Sequence, residues 1–313
     1  MHIGILSRNP QLYSTQRLVT AARRRGHQVE IIDTTSVAVH IGQSDRRPGE
    51  TRLLVNSLPG MAGTTRLPAL DAIIPRIGTS VTFYGLAVVR QFETAGVLTT
   101  ASSSAIACSR DKLQSLQLMA QAGLPIPRTA VVARPEALYA AVESVGGLPA
   151  VVKLIHGTQG RGVFLAHHFA TVAAILQKVA ALNRQAIVQE FIAEAGGRDI
   201  RLIVVGDRCV AAMQRQAPTG EFRANLHRGG SASPFTPDAT TIALAVRAAQ
   251  AHGLAVAGVD LIPARSGPLL LEVNSSPGLE GIEQATGADV AGEIVRHLEV
   301  RFNRRPASKN PTR

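Results

Sequence analysis

Three features of the sequence predict an α/β chain of two or three lobes. The N-terminal stretch runs apolar segment, polar loop, amphipathic segment and second apolar segment, the β-loop-α-β opening of a Rossmann-type sheet. In the middle, strand-like runs are joined by a glycine-rich tip, His156-Gly157-Thr-Gln-Gly160-Arg-Gly162. Near the end, Gly258-Val-Asp260-Leu-Ile and Leu270-Leu-Glu272-Val-Asn274 flank a short segment of Pro, Arg, Ser and Gly, which reads as a β-hairpin. At 313 residues and 45% hydrophobic content, the chain can bury a sizeable core.

Composition narrows the class. No apolar run approaches a membrane span, so no membrane partner is expected. The start, Met1 to Ser7, reads as a first strand and not a signal peptide. The two cysteines, Cys108 and Cys209, lack metal-ligand spacing and fit a reducing, cytoplasmic compartment. A net charge of +11 attracts polyanions such as nucleotides, acidic peptides, nucleic acid or ribosomes, although a solvated face accounts for most of the basic residues equally. With 4% aromatics and no tryptophan, a dedicated single-strand binding surface is not expected, nor direct sequence-specific nucleic-acid recognition. Gly-x-Ser-x-Gly is absent, as is a His/Cys zinc spacing, which leaves serine-hydrolase and zinc chemistry without support.

In chain order, the sequence predicts strands at Ile3 to Leu6 and Gln28 to Ile32 around an amphipathic helix ending at Gly26. No Gly-x-Gly-x-x-Gly follows the first strand, so no dinucleotide is expected there. Residues 42–68 read as an irregular excursion. A strand resumes at Asp71 to Pro75, a helix covers Tyr84 to Ala95, and Val97 to Thr100 closes a first lobe at 1–107. The second lobe, 108–185, starts with a helix opened by Arg110-Asp-Lys112 and stopped at Gly123. It continues with Ala150 to Ile155, the glycine tip, and Val163 to Leu165. The third, 186–300, holds the strand Ala186 to Glu190, a hairpin turned at Gly206-Asp207, a helix from Asp238 to His252, the late hairpin and a helix from Asp289 to about Arg301. Residues 301–313 read as a disordered basic tail.

Several charged residues sit in apolar strands. Strand periodicity puts Glu272 and Asn274 on one face, and a hairpin centred near Ser266 puts Asp260 across from Glu272. Opposed carboxylates repel, which points to a cation between them, and oxygen-only donors suit Mg²⁺ or Mn²⁺ shared with phosphates. A solvated strand face accounts for the same three residues. Lys153 stands in an otherwise apolar strand, where an unpartnered ammonium is costly. The glycine tip can bring backbone N–H groups to phosphate oxygens, or serve as a plain turn. Lys112 has the position of an ordinary first-turn lysine. Asp199 and Arg201 share a face, and the return strand brings back Arg215. Arg223 to Gly230, with His227, forms a basic loop.

Together these residues form an ordered set that resembles the RimK-type α-L-glutamate ligases of the ATP-grasp superfamily. The matching segments include Ile5-Leu-Ser-Arg8, Ile74-Pro-Arg-Ile-Gly78, Phe83-Tyr-Gly85, Arg110-Asp-Lys112, Val152-Lys-Leu154, Gly157-Thr-Gln-Gly160, Val188-Gln-Glu190, Asp199-Ile-Arg201, Phe222 to Gly230, Ala257-Gly-Val-Asp260 and Glu272 to Gly281. They span nearly the whole chain outside 42–68 and the tail. Phe191, where tyrosine is usual, and Ala224, where serine is common, depart from the pattern. The resemblance implies an ATP-grasp fold with a Rossmann-like pre-ATP-grasp lobe at 1–107, a small lobe with a glycine flap and a large lobe with a metal site. It implies that Lys112, Lys153, Gly157, Gly160 and Gly162 hold the ATP phosphates, and that Glu190 and Phe191 form the hinge at adenine. Asp199, Arg223, Ala224 and Asn225 complete the nucleotide site. Asp260, Glu272 and Asn274 bind two Mg²⁺ or Mn²⁺ ions, and Arg201 and Arg215 face the transferred phosphoryl group and the oxyanion. L-glutamate and the acidic C-terminus of a ribosomal protein are the implied partners, in a homo-oligomer, a tetramer by resemblance. The alternatives are a relative acting on a cofactor or an amino-group carrier protein and, in another class, a nucleotide-responsive RNA-binding module without catalysis.

Overall fold

The computed structural model describes residues 1–39, 53–56, 64–67, 69–132, 135–155, 162–181, 185–226 and 229–305. In the first lobe, β1 (His2–Leu6), α1 (Tyr13–Arg24) and β2 (Gln28–Ile32) are followed by β3 (Val37–Val39), β4 (Leu53–Asn56) and β5 (Thr64–Arg66). Then come β6 (Ala72–Pro75), α2 (Thr82–Thr94), β7 (Leu98–Thr99) and α3 (Ser103–Arg110). The main sheet is parallel, in the order β2-β1-β6-β7. Its inner strands read Ile3 to Leu6 and Ala72 to Pro75 without polar alternation, because both faces are covered.

The region expected to be wholly irregular, 42–68, contains β4 and β5, which pair antiparallel with β3 in a three-stranded sheet. Leu53-Leu-Val and Thr64-Thr are short β-favouring runs that the surrounding Gly, Pro and Ser conceal in a composition count. The other residues of that stretch lie outside the described ones.

The second lobe comprises α4 (Lys112–Gln121), β8 (Thr129–Val131), α5 (Leu138–Ser144), β9 (Ala150–Leu154), β10 (Val163–Ala166), α6 (Phe169–Ala181) and β11 (Ala186–Glu190). Asp111 caps α4, accepting hydrogen bonds from the amides of Leu113 and Gln114. The sheet runs β10-β9-β11-β8, all antiparallel, and α5 and α6 pack on it around Val142, Val152, Val172 and Val188.

The third lobe comprises β12 (Arg198–Val205), β13 (Arg208–Gln216), β14 (Ser231–Pro234), α7 (Ala239–Ala251), β15 (Val256–Ala264), β16 (Gly267–Asn274), α8 (Glu280–Thr286) and α9 (Val290–Asn303). Its antiparallel sheet runs β14-β13-β12-β15-β16. Gly206, at φ +65°, makes the two-residue turn between β12 and β13. Strand β12 is buried on both faces. Ile200, Leu202 and Val204 pack with Leu244, Ala245 and Ala248 of α7, while Ile203 and Val205 pack with Ile294, Val295 and Leu298 of α9. Helix α9 runs to Asn303, so the first residues assigned to the basic tail are helical; residues 306–313 lie outside the described ones.

The lobes share cores. Leu6, Ile73 and Phe92 of the first lie in one cluster with Ile187 and Leu202. Arg17 of α1 reaches Glu283 at 2.7 Å and Asp289 at 2.7 Å. Leu202 has 0% exposure in the central strand of the large sheet. Leu202→Ala is therefore expected to cost about 2–5 kcal/mol, read as a lower midpoint in chemical denaturation.

Candidate active site

One cleft draws its residues from the second and third lobes, with Ser109 at the end of α3 on its border. Its wall includes Lys112 from the start of α4, Lys153 from β9, Gln189 and Glu190 from β11, Phe191 just beyond, Asp199 and Arg215 from β12 and β13, and Asp260 and Glu272 from β15 and β16. Phe222, Arg223, Ala224 and Asn225 close another side, and Val151, Ile187, Ile262 and Leu271 supply apolar surface. Arg201, Asn274 and Gly162 stand off this wall. Gly157, Gly160 and His227 lie outside the described residues.

Register places the charged groups. Asp260 faces Glu272 across the β15–β16 pair, next to a shift of register at Leu261. Arg201 faces Asp260 on the other side, and Asp199 faces Arg215. The result is a buried run of alternating charge. Arg201 donates to Asp260 through Nε at 2.7 Å and Nη2 at 2.6 Å. Arg215, 3% exposed, donates to both oxygens of Asp199 at 2.6 and 2.7 Å, and to Oδ2 of Asp260 at 3.0 Å. The positive charge expected beside Asp260 is thus supplied in part by the protein itself. Two guanidinium groups already neutralise Asp260, because antiparallel pairing brings Arg201 directly abreast of it.

The protonation states follow. Burial pushes Asp260 up, but Arg201 and Arg215 outweigh it and hold the carboxyl at about 2. Asp199 shares only Arg215, and for this acid burial wins, so its pKa is raised. Arg215 is pulled down by burial and raised further by Asp260 and Asp199, so it stays a cation.

Glu272 has no hydrogen-bond or ion-pair partner among the described residues, and its charge acts on Lys112 and Lys153 from a distance. Lys153 donates to the Oε1 of Gln189 at 2.5 Å, and Gln189, 2% exposed, is held by Thr129 at 2.8 Å. Burial lowers Lys153 to about 8, with Glu272 opposing the shift and Lys112 adding to it. Lys112 donates to the Ile155 carbonyl at 3.3 Å and is also lowered by burial. Two partly buried ammonium groups set near one carboxylate form a receptor for a polyanion.

Glu190 pairs in a fork with Arg128, at 2.9 and 3.0 Å, which explains a charged residue at the end of an apolar strand. Arg223 pairs with Glu221 at 2.6 Å and donates to the Val163 carbonyl at 3.1 Å, tying the cleft's third-lobe side to the strand that leaves the glycine tip. Gly162 has φ +75°, and a Cβ there would meet Leu154 Cδ1 at 2.6 Å, so backbone and space both require glycine. Gln189, Arg128 and Glu221 were not singled out from the sequence. Gln189 is neutral, Arg128 follows Pro125-Ile-Pro127 just before a short strand, and Glu221 stands in a polar loop, so no charge pattern marks them.

The donor set for a metal is oxygen-only. Three N–H donors occupy Asp260, leaving about one of a carboxylate's four lone-pair positions. Glu272 keeps all of its own, and the buried side-chain amide nitrogen of Asn274 has no partner. Among the described residues no group of three or more His, Cys, Asp or Glu could hold a metal alone. The set fits an ion such as Mg²⁺, bound through one or two carboxylates and completed by substrate phosphates.

A mixed three-lobed fold whose cleft sets lysines against an acidic strand pair defines the class: an ATP-dependent ligase of the ATP-grasp type. The model of the RimK-like ATP-grasp domain matches residues 109–298, and that of the RimK PreATP-grasp domain matches 1–106. The chain belongs to the RimK family of ATP-grasp ligases. A protein of Marinomonas sp. (strain MWYL1) named probable alpha-L-glutamate ligase is 50% identical over 299 residues, spanning 96% of this chain and 95% of its own. Another, from Teredinibacter turnerae, is 51% identical over 302 residues, with the same two coverages. Among solved structures, the ATP-grasp ligase PsnB complexed with a minimal precursor has a TM-score of 0.73 at 22% identity, covering 96% of this chain and 98% of that one. A RimK domain protein from Sphaerobacter thermophilus has a TM-score of 0.66 at 21% identity, covering 95% and 99%. These two likenesses concern the fold.

Two outcomes follow. Lys153→Met is expected to raise stability at pH 7, since the folded state disfavours the ammonium that the unfolded chain carries to about pH 10.4. As pH rises through about 8 the wild type sheds that penalty, so the difference in urea midpoint narrows toward pH 10. Asp260→Asn leaves Arg201 and Arg215 under-compensated and is expected to cost about 3–5 kcal/mol, whereas Glu272→Gln, with no partner to orphan, leaves the melting temperature nearly unchanged.

Proposed function

We propose that the chain adds L-glutamate in α-peptide linkage to the C-terminal glutamate of a small-subunit ribosomal protein in the cytoplasm, through an acyl phosphate. The observation that carries this reading is the single cleft that gathers Lys112, Lys153 and Glu272 beside the neutralised Asp199–Arg215–Asp260–Arg201 run. The excess positive charge of the chain suits an acidic acceptor.

In this reading ATP phosphates lie against Lys112 and Lys153, under the glycine tip with Gly157, Gly160 and Gly162. The adenine stands by Glu190 and Phe191, with Phe222 set edge-on to Phe191 at 6.2 Å between ring centres. Asp199, Arg223, Ala224 and Asn225 border the nucleotide. Asp260, Glu272 and Asn274 would hold two Mg²⁺ or Mn²⁺ ions, which supply charge neutralisation to the phosphates when bound. A carboxylate is a poor electrophile. Transfer of the γ-phosphoryl group to an acceptor carboxylate oxygen releases ADP and makes the carbon attackable. The lysines offset repulsion between two anions as they meet. The glutamate amine then attacks the acyl carbon and loses a proton, the bond to phosphate breaks, and an amide remains. Arg215, fixed on Asp199, supplies a rigid cation for the oxyanion. Arg201 acts at one remove, by holding Asp260.

Purified protein with ATP, labelled glutamate and either ribosomes or a peptide ending in glutamate tests this reading. The expected result is ADP release coupled to label in the ribosomal protein's C-terminus by mass spectrometry. Label that enters only a cofactor or a carrier protein would move the acceptor elsewhere, and salt-sensitive RNA binding without ADP release from any acceptor would defeat catalysis. Glu272→Gln is expected to lower ADP release by a factor of about a thousand or more while the protein stays folded. Light scattering reads the proposed homo-oligomer, with four chains expected.

A further inference from the structure

The first lobe carries a cationic site that the chemistry above does not use. In the sheet order β2-β1-β6-β7, the chain leaves β1 toward one edge and returns to the other side of it at β6. The β1–β6 pair is therefore the switch point, and open α/β sheets bind ligands in the crevice beyond the carboxyl ends at such a point. Two arginines leave the sheet there: Arg8, two residues past β1, and Arg76, directly past β6. Leu6 pairs with Pro75, so the two emerge side by side.

Among the described residues neither arginine has a carboxylate partner. Arg76 is partly buried and donates from Nη1 to the Pro277 carbonyl at 2.8 Å, with no carboxylate partner among the described residues. Burial alone lowers it to about 10, with no acid near enough to oppose the shift. Arg8 is exposed and donates to the Ser80 hydroxyl at 2.9 Å. Arg110 braces the segment after Arg76 that carries Ser80, donating to the Ile77 carbonyl and the Thr82 hydroxyl. Arg17, Arg201, Arg215 and Arg223 are each paired with an acid. Arg76, like Arg110 and Arg301, meets only carbonyl or hydroxyl oxygens among the described residues, and of these three it alone leaves the sheet at the switch point. A desolvated guanidinium offering up to five donors to one carbonyl is an incomplete receptor.

Its position links it to the cleft. Pro277, the acceptor for Arg76, lies three residues beyond Asn274 at the end of β16, and Ser276 of the same loop donates to the Pro75 carbonyl at 3.2 Å. A group held by Arg76 thus lies across one loop from the strand bearing Glu272 and Asn274.

We infer that Arg76 and Arg8 form a carboxylate-binding subsite that seats a free carboxylate of the amine substrate or of the acceptor terminus beside the cleft. A planar guanidinium matches a carboxylate in a fork, and a glutamate or a peptide ending in glutamate each keeps a carboxylate that does not react. The choice of these two ligands rests on the ligase reading above; the presence of an anion subsite does not.

The test is calorimetric titration of the full-length protein with L-glutamate, with a short peptide ending in glutamate, and with ATP, for wild type, Arg76→Gln and Arg8→Gln. The expected result is at least a tenfold loss of affinity for one of the first two ligands, with ATP affinity changed less than twofold. Loss confined to L-glutamate assigns the subsite to the amine substrate, and loss confined to the peptide assigns it to the acceptor. The carboxamide form of the affected ligand should bind wild type and variants alike. Arg8→Gln touches only an exposed side chain, so it decides the matter if Arg76→Gln does not fold. Unchanged affinity for both ligands, or an equal loss for ATP, would overturn the subsite. A wild type that binds either ligand but releases no ADP would defeat the ligase reading and leave the subsite standing.

Discussion

The large sheet depends on a buried sequence of charges, Asp199–Arg215–Asp260–Arg201, laid across β13, β12 and β15. Two carboxylates and two guanidinium groups balance. Removing any one member would strand a charge in a low-dielectric setting, where its neighbours were tolerated only because it was there. Antiparallel register makes the arrangement possible, since Arg201 pairs with Asp260 and Asp199 with Arg215. With Asp260 compensated, Glu272 is left as the carboxylate whose field the two lysines feel.

That balance decides what the cleft can do. Fixed dipoles and charges that need no rearrangement act on a reacting anion at little reorganisation cost. Lys153 is held in place by Gln189, and Gln189 by Thr129, so a flexible side chain is aimed before any ligand arrives. Arg223 binds the carbonyl of Val163, which connects the third lobe to the strand following the glycine tip. The cleft is therefore assembled from the second and third lobes, and its lysines and arginines are oriented by near neighbours.

The first lobe is more than an appendage. Its α1 packs on α9, and Arg17 reaches two acids of the third lobe. Arg76 meets the loop that leaves β16, and Leu6 and Phe92 lie in one core with residues of the other lobes. The carboxyl end of its parallel sheet is thereby held against the end of the acidic hairpin.

Much of this was legible beforehand. Apolar periodicity located β1, β2, β11, the turn at Gly206-Asp207 and the late hairpin, because period and turn chemistry are local properties. The same locality explains what stayed hidden in 42–68, where β4 and β5 are short and pairing, not composition, defines them. Side-chain partners were beyond reach for the same cause: that Arg201 and Arg215 neutralise Asp260, that Arg128 answers Glu190, and that Gln189 carries Lys153 all depend on residues brought together from distant places in the chain. Order along the chain thus determined the elements, their periodicity and the spacing of charged residues within strands. Only the tertiary structure decided which charges cancel and which remain to meet a ligand, since Coulomb energy and burial depend on distances that register and packing set.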